Sequence, residues 1–174
     1  TVKNLSSNPQ KIEILDGLTQ VLPFSIDHNT VKNMLYTVKA WIKIQNIEHN
    51  IPFYKLSMNT SDSPEVSEIK NGNFALSFLV RNQKSTVLRP IIDPRIIFDY
   101  DTSYSNPVNF FKKTIMELYQ QEQIYEGDVP CNFVGTEISL QGAEEFSIYT
   151  IIGQTSNITW INDMKDELSS IKFI

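Results

Sequence analysis

The chain has 174 residues, of which 41% are hydrophobic and 20% charged, with a formal net charge of -5. This length suits one domain that buries roughly two-thirds of the surface its unfolded form exposes, and the composition excludes wholesale disorder. No apolar run reaches the ~20 residues of a membrane span, so a soluble chain is expected.

Charge is unevenly spread: residues 1–98 carry eleven Lys and Arg against eight acids, and residues 99–174 carry four against twelve. An acidic carboxyl half argues against nucleic acid as a partner, because neutralising phosphates takes Lys and Arg. The single cysteine, Cys131, cannot form an internal disulfide and assigns no redox compartment; at the head of a strand it reads as a small buried hydrophobe. The first residue is Thr1 rather than Met, which is compatible with removal of a leader, a tag or a larger precursor. Periplasmic, secreted and cytoplasmic locations all fit.

In chain order, residues 1–10 are polar and read as a flexible lead-in to one domain over 11–174. Lys11 to Leu15 and Leu18 to Leu22 are expected to form a hairpin around Asp16-Gly17, a pair suited to tight turns. From Val31 a helical period (Val31, Met34, Leu35, Val38, Ile42) competes with strict alternation (Tyr36, Val38, Ala40, Ile42, Ile44). The β-branched and aromatic content favours a strand after a short helical turn. Glu48-His49-Asn50 then turns the chain into a partner strand, Ile51 to Met58.

Asn59 to Glu65 is a polar loop, and Asn71-Gly72 is the strongest hairpin signal in the chain. Phe74 to Arg81 follows as a half-buried strand with Phe74, Leu76, Phe78 and Val80 on one face. Pro90 places the extended segment from Thr86 to Ile92 at a sheet edge, because proline cannot donate to a central ladder. Asp93-Pro94 turns the chain.

Asn106-Pro107 reads as the start of a long amphipathic helix with Val108, Phe111, Ile115, Leu118 and Tyr119 on its apolar face, closed by Gly127 and Pro130. Cys131 to Leu140 alternates as a strand, and Phe146 to Ile152 is bulky on both faces, which places it centrally in a covered sheet. Ser156 or Asn157 caps a second helix with the stripe Ile158, Ile161, Met164 and Leu168. Ile171 to Ile174 reads as a short closing strand. The sum is an α+β fold, a mostly antiparallel β-sheet with two main helices near the carboxyl end, in a single domain.

Little in the sequence points to catalysis. The two histidines, His28 and His49, have no second His or Cys at ligand spacing, so no metal site is expected. With six glycines there is no phosphate loop or dinucleotide fingerprint, and no cofactor is expected. No nucleophile elbow or cysteine-protease signature is present. Asp93, Asp99 and Asp101 are the densest carboxylate group and read as turn and cap residues. Triplets of the glycosylation type occur at Asn4, Asn59 and Asn157, and Asn157 is better used as a helix cap.

Candidate binding residues are few. Arg81, Arg89 and Arg95, the only arginines, form one basic patch if the extended segments that carry them are neighbours, or else pair with the protein's own acids. Trp41 and Tyr54, on facing strands, offer an aromatic contact surface, or else lie beneath a second layer.

The order of helix, strand, strand ending in Phe146-Ser147-Ile148-Tyr149, helix around Trp160-Ile161 and final Ser170-Ile171-Lys172-Phe173 resembles the PsbP-like and DcrB-like superfamily. Gly17 to Pro23, with Leu22-Pro23, looks like the opening strand of such domains. The resemblance covers about half the chain and implies an antiparallel sheet flanked by helices. It also implies a non-enzymatic accessory, assembly or chaperone-like role, with no catalytic residues to carry over. The close of the chain, a strand and then a helix bearing Trp160, is similar as well to pleckstrin-homology-like domains, in which a helix over Asn106 to Ile124 is out of place.

The expected function is therefore protein binding, as an adaptor, accessory or chaperone-like subunit; abundant Ile, Asn and Lys fit a bacterial or viral assembly. Two alternatives stand beside it. One is a structural subunit that repeats itself as a homo-oligomer in a ring or tube. The other is an enzyme whose site assembles from Asp93, Asp99, Asp101 and His49.

Overall fold

Alternating bulky residues mark the strands of this chain. The computed structural model, which describes residues 1–26, 28–57, 69–170 and 172, pairs them antiparallel in two sheets. The elements in order are β1 (Val2–Lys3), β2 (Gln10–Leu18), α1 (His28–Trp41), β3 (Ile42–Gln45), β4 (Phe53–Leu56), β5 (Gly72–Arg81), β6 (Lys84–Val87) and β7 (Pro90–Ile91). They continue with α2 (Arg95–Phe98), α3 (Val108–Lys112), α4 (Ile115–Tyr119), β8 (Asn132–Leu140), β9 (Glu145–Thr155) and α5 (Ile158–Leu168). The larger sheet has the order β1-β9-β5-β4-β3, with β6 also on β5, and the smaller is β2-β8-β7. This is the α+β, mostly antiparallel class.

Four apolar clusters stack these elements in layers. Helix α5 lays Ile161 and Leu168 on Phe74, Leu76 and Phe78 of β5. The opposite face of the larger sheet meets the smaller one, with Leu79 and Phe146 packed against Ile138 and Leu140. The outer face of the smaller sheet is covered by α2 and α4 through Ile97, Ile115, Leu118 and Phe133. Helix α1 closes one end, where Val38 packs with Tyr54, Leu56 and Ala75. Val2 and Lys3 of the polar lead-in pair with Phe146 and Glu145, and the Asn4 side chain donates to the carbonyls of Leu140 and Gln141.

Several local expectations are corrected. Asp16-Gly17 is no turn: β2 runs through it, and Gly17 faces Phe133 of β8. A Cβ there would lie 2.1 Å from the Asn132 carbonyl oxygen, so the glycine serves close approach of two strands. The competition after Val31 goes to the helix as far as Trp41, because Val31, Leu35 and Val38 all meet one core. Strand pairing starts only at Ile42.

Asn71-Gly72 does not form a tight hairpin either. Gly72 opens β5 opposite Thr155, with the Phe53 ring in the space a side chain would need. The tight turn lies at Asn82-Gln83, whose φ angles of 50° and 60° suit the mirror-image turn that joins β5 to β6. Residues 74–79 are buried on both faces, so the central strand is β5 and not the segment Phe146 to Ile152, in which Thr150 and Ile152 are exposed. Pro90 lies in β7, an edge strand of the smaller sheet.

The long helix from Asn106 is two short ones. Lys113 and Thr114 are extended (ψ 150° and 159°), and Thr114 starts α4 with a capping box to Glu117. Asn106 caps nothing, and Phe111, placed by periodicity on the apolar face, is 72% exposed. Thr114→Ala should lower stability by about 1 kcal/mol, read as a fall in the urea midpoint at unchanged slope. Arg95 to Phe98 is the helical turn α2. The loop at Asn59 to Glu65, the last residue of the strand Ile51 to Met58, and most of the closing strand at Ile171 to Ile174 lie outside the described residues.

Candidate functional site

The five side chains nominated from sequence do not converge. Trp41 ends α1 and is partly buried against the core at that end of the sheet. Tyr54 is fully buried, and its hydroxyl donates to the Cys131 carbonyl and to Asn132 Oδ1, each at 3.1 Å. Burial pushes its pKa well up. It ties the two sheets together and presents no surface.

The arginines line three different clefts. Arg89 lies 5.5 Å from the centre of the Tyr119 ring and borders a cleft of about 480 Å³ with Asn46, Glu48 and Tyr125. Arg95 holds Asp93 in a two-pronged ion pair (2.9 and 2.7 Å) beside a cleft of about 440 Å³. Arg81 borders a third, of about 470 Å³, with Leu88 and Glu137.

Arg81 also grips Glu144 (2.8 and 2.6 Å) and the Ser139 carbonyl (2.7 Å), so that the β8–β9 turn is tied to β5. The guanidinium first, then the N–H of Gln141 and the side chain of Asn82, pull the Glu144 carboxyl down to about 2. A carboxyl whose folded pKa lies below its unfolded value of about 4.3 stabilises the fold above that value and loses the contribution as pH falls through the folded one. The urea midpoint should therefore drop between about pH 4 and pH 2, and Glu144→Gln should flatten that part of the profile.

The carboxylates and His49 do not form a constellation. Asp93 is buried against Arg95 and accepts the Ile124 N–H at 3.2 Å. Asp101 accepts from Ser103, Ser105 and Asn106 of its own turn, and these bonds lower its pKa, the Ser103 hydroxyl contributing most. Asp99 is an exposed residue with φ of 53°, and His49 sits exposed on a helical turn after β3. No group of three potential metal ligands occurs among the described residues. Cys131 is buried, its thiol donating to the Ile91 carbonyl at 3.3 Å and raised in pKa by burial, which removes thiolate reactivity. Asn4 is buried in its hydrogen bonds, Asn157 caps α5, and Asn59 lies outside the described residues.

Among the described residues a different feature stands open, the outer edge of β9. β9 pairs with β5 along ten residues, Phe146 to Thr155, whereas β1 covers only Glu145 and Phe146. Neighbouring residues of an antiparallel strand point their backbone groups to opposite sides. Glu144 accepts from Asn4 on the β1 side, so the even-numbered residues face outward. Consistently, Ala75 and Ser77 of β5 bond away from β9, to Pro52 and Leu88. The N–H and C=O groups of Ile148, Thr150, Ile152 and Gln154 thus point away from the sheet and meet no strand among the described residues.

Other edges are blunted. β3 receives residues 125–127, with the Ile44 N–H donating to Tyr125 at 2.8 Å, and β2 carries Lys11, Glu13 and Asp16. Natural edge strands are protected by charge, proline, shortness or cover. From Phe146 to Asn162 the chain has no charged residue and no proline, and Ile152 is 53% exposed. This uncharged run is the signal the sequence carries for the edge, whereas bulk on both faces of Phe146 to Ile152 points to central placement. No helix among the described residues is long and apolar enough to cross a membrane. No protein-family model matches the chain, and a comparison with curated proteins finds no match.

Proposed function

We propose that this protein is a non-enzymatic protein-binding subunit, an adaptor or accessory component of a larger assembly, which takes an extended polypeptide segment onto the β9 edge. The observation that carries this reading is the seven-residue stretch from Ile148 to Gln154, uncharged and meeting no strand on its outer side among the described residues. Strand addition is the mode of recognition that such an edge suits, main-chain bonds giving the register and side chains the specificity. A role of this kind is also what the resemblance to the PsbP-like and DcrB-like superfamily implies.

Magnitudes indicate what else is needed. Four outward residues can form up to eight main-chain bonds, each contributing a net ~0.5–1.5 kcal/mol, or about 4–12 kcal/mol together. Association costs about 4–15 kcal/mol in lost freedom, so the ladder alone gives weak binding. Apolar contact must add to it, and Ile152, 53% exposed, is the exposed large apolar side chain the segment offers.

Ile152→Lys places a charge on the edge without disturbing the core. Capture from the source with wild-type protein and with this variant, followed by hydrogen exchange on the captured complex, tests the proposal. The expected result is a partner held by wild type, lost by the variant, and protecting the amides of Ile148, Thr150, Ile152 and Gln154. A partner held equally by both proteins, with those amides unprotected, would contradict it.

A further inference from the structure

We propose that the strand received by β9 is β9 of a second copy of this chain, the two edges pairing antiparallel about a two-fold axis at Ile151. The proposal rests on the edge reading above and names the occupant of that edge.

Register is the first argument. The outward residues Ile148, Thr150, Ile152 and Gln154 are disposed symmetrically about Ile151. A two-fold axis there puts Ile148 opposite Gln154 of the second copy and Thr150 opposite Ile152, so every outward N–H and C=O finds a partner. An axis one residue to either side leaves one of the four without its mate in this stretch.

Side-chain fit is the second argument. On the α5 face the same register brings Ile151 against its own copy. On the other face Thr150 meets Ile152, a pairing of β-branched residues that antiparallel sheets favour.

Charge is the third. A chain with formal charge -5 repels its own copies over most of its surface, and a charged edge paired with itself sets like charges close together. The run from Phe146 to Asn162 has none, whereas β2, the long edge strand of the smaller sheet, carries Lys11, Glu13 and Asp16. Pairing through β9 joins the larger sheets of the two copies into one continuous sheet.

Sedimentation equilibrium over a wide range of concentration tests this, on wild type and on two variants. Ile152→Pro removes an outward N–H that β5 does not use, which an edge strand tolerates. Ile152→Lys brings two like charges near the axis. Wild type is expected to rise from 20.0 kDa to twice that mass, and each variant to weaken self-association roughly tenfold or more with the unfolding midpoint of the monomer little changed. A dimer that survives both substitutions would overturn the proposal, as would a wild type that stays monomeric. In the monomeric case, rapid exchange of the outward amides leaves the edge open to another polypeptide, and protected amides refute the edge reading itself.

Discussion

Phe78→Ala is expected to lower the free energy of unfolding by about 3–5 kcal/mol, a large part of the ~5–15 kcal/mol that holds a domain of this kind. Phe78 is fully buried in β5 and stacked on Tyr149 of β9, with ring centres 5.7 Å apart and planes at 24°. Its neighbours Leu76, Ile161 and Leu168 belong to β5 and α5, so truncation opens a cavity where the central strand meets the covering helix. Stacked ring pairs also contribute beyond the area they bury. Urea unfolding should show the loss as a lower midpoint at unchanged slope. A loss below about 1 kcal/mol, the level of a surface substitution, would mean that α5 does not cover this face.

Gly17→Ala is the second large effect, and it separates the two readings of Asp16-Gly17. In a hairpin turn the substitution costs only the penalty of a left-handed residue, about 1 kcal/mol. Between paired strands, the new methyl group would lie 2.1 Å from the Asn132 carbonyl oxygen and 2.6 Å from the Phe133 Cα. Both are backbone atoms that cannot turn aside. The end of the β2–β8 ladder must separate, for a loss of about 2–3 kcal/mol, with faster amide exchange at Leu15 to Leu18. Gly127→Ala is the control, since Gly127 has φ of 80° and open space around it.

Fold class was legible in the sequence because alternation marks strands independently of their partners. Cys131 to Leu140 reads as a strand from its own pattern, and α5 from its stripe and a cap at Ser156 or Asn157. What a single sequence could not decide was competition between local signals and distant partners. From Val31 to Gln45 both periods are present, and only the shared core of Val31, Leu35, Val38, Tyr54 and Ala75 selects the helix up to Trp41. Gly17 and Gly72 carry turn dipeptides, yet each is small to admit a neighbouring chain, Asn132 in one case and Phe53 in the other. The break at Thr114 was readable, since Thr114 and Glu117 have capping-box spacing, but the apolar period running across it masked the signal.

The candidate site was less legible still. Trp41, Tyr54 and the arginines stand out by residue type, and type does not reveal burial: Tyr54 lies wholly inside and Arg81 is held by Glu144. The β9 edge, by contrast, is made of main chain, which side-chain motifs do not report. Its trace in the sequence is the absence of charge from Phe146 to Asn162.

Residue-resolved hydrogen exchange of β9 in dilute protein reads the state of this edge residue by residue. Exchange is expected to alternate, fast at Ile148, Thr150, Ile152 and Gln154 and slow at Tyr149, Ile151 and Gly153, whose N–H groups face β5. Uniform protection along the strand would contradict it, because the outer edge would then already be paired within the chain.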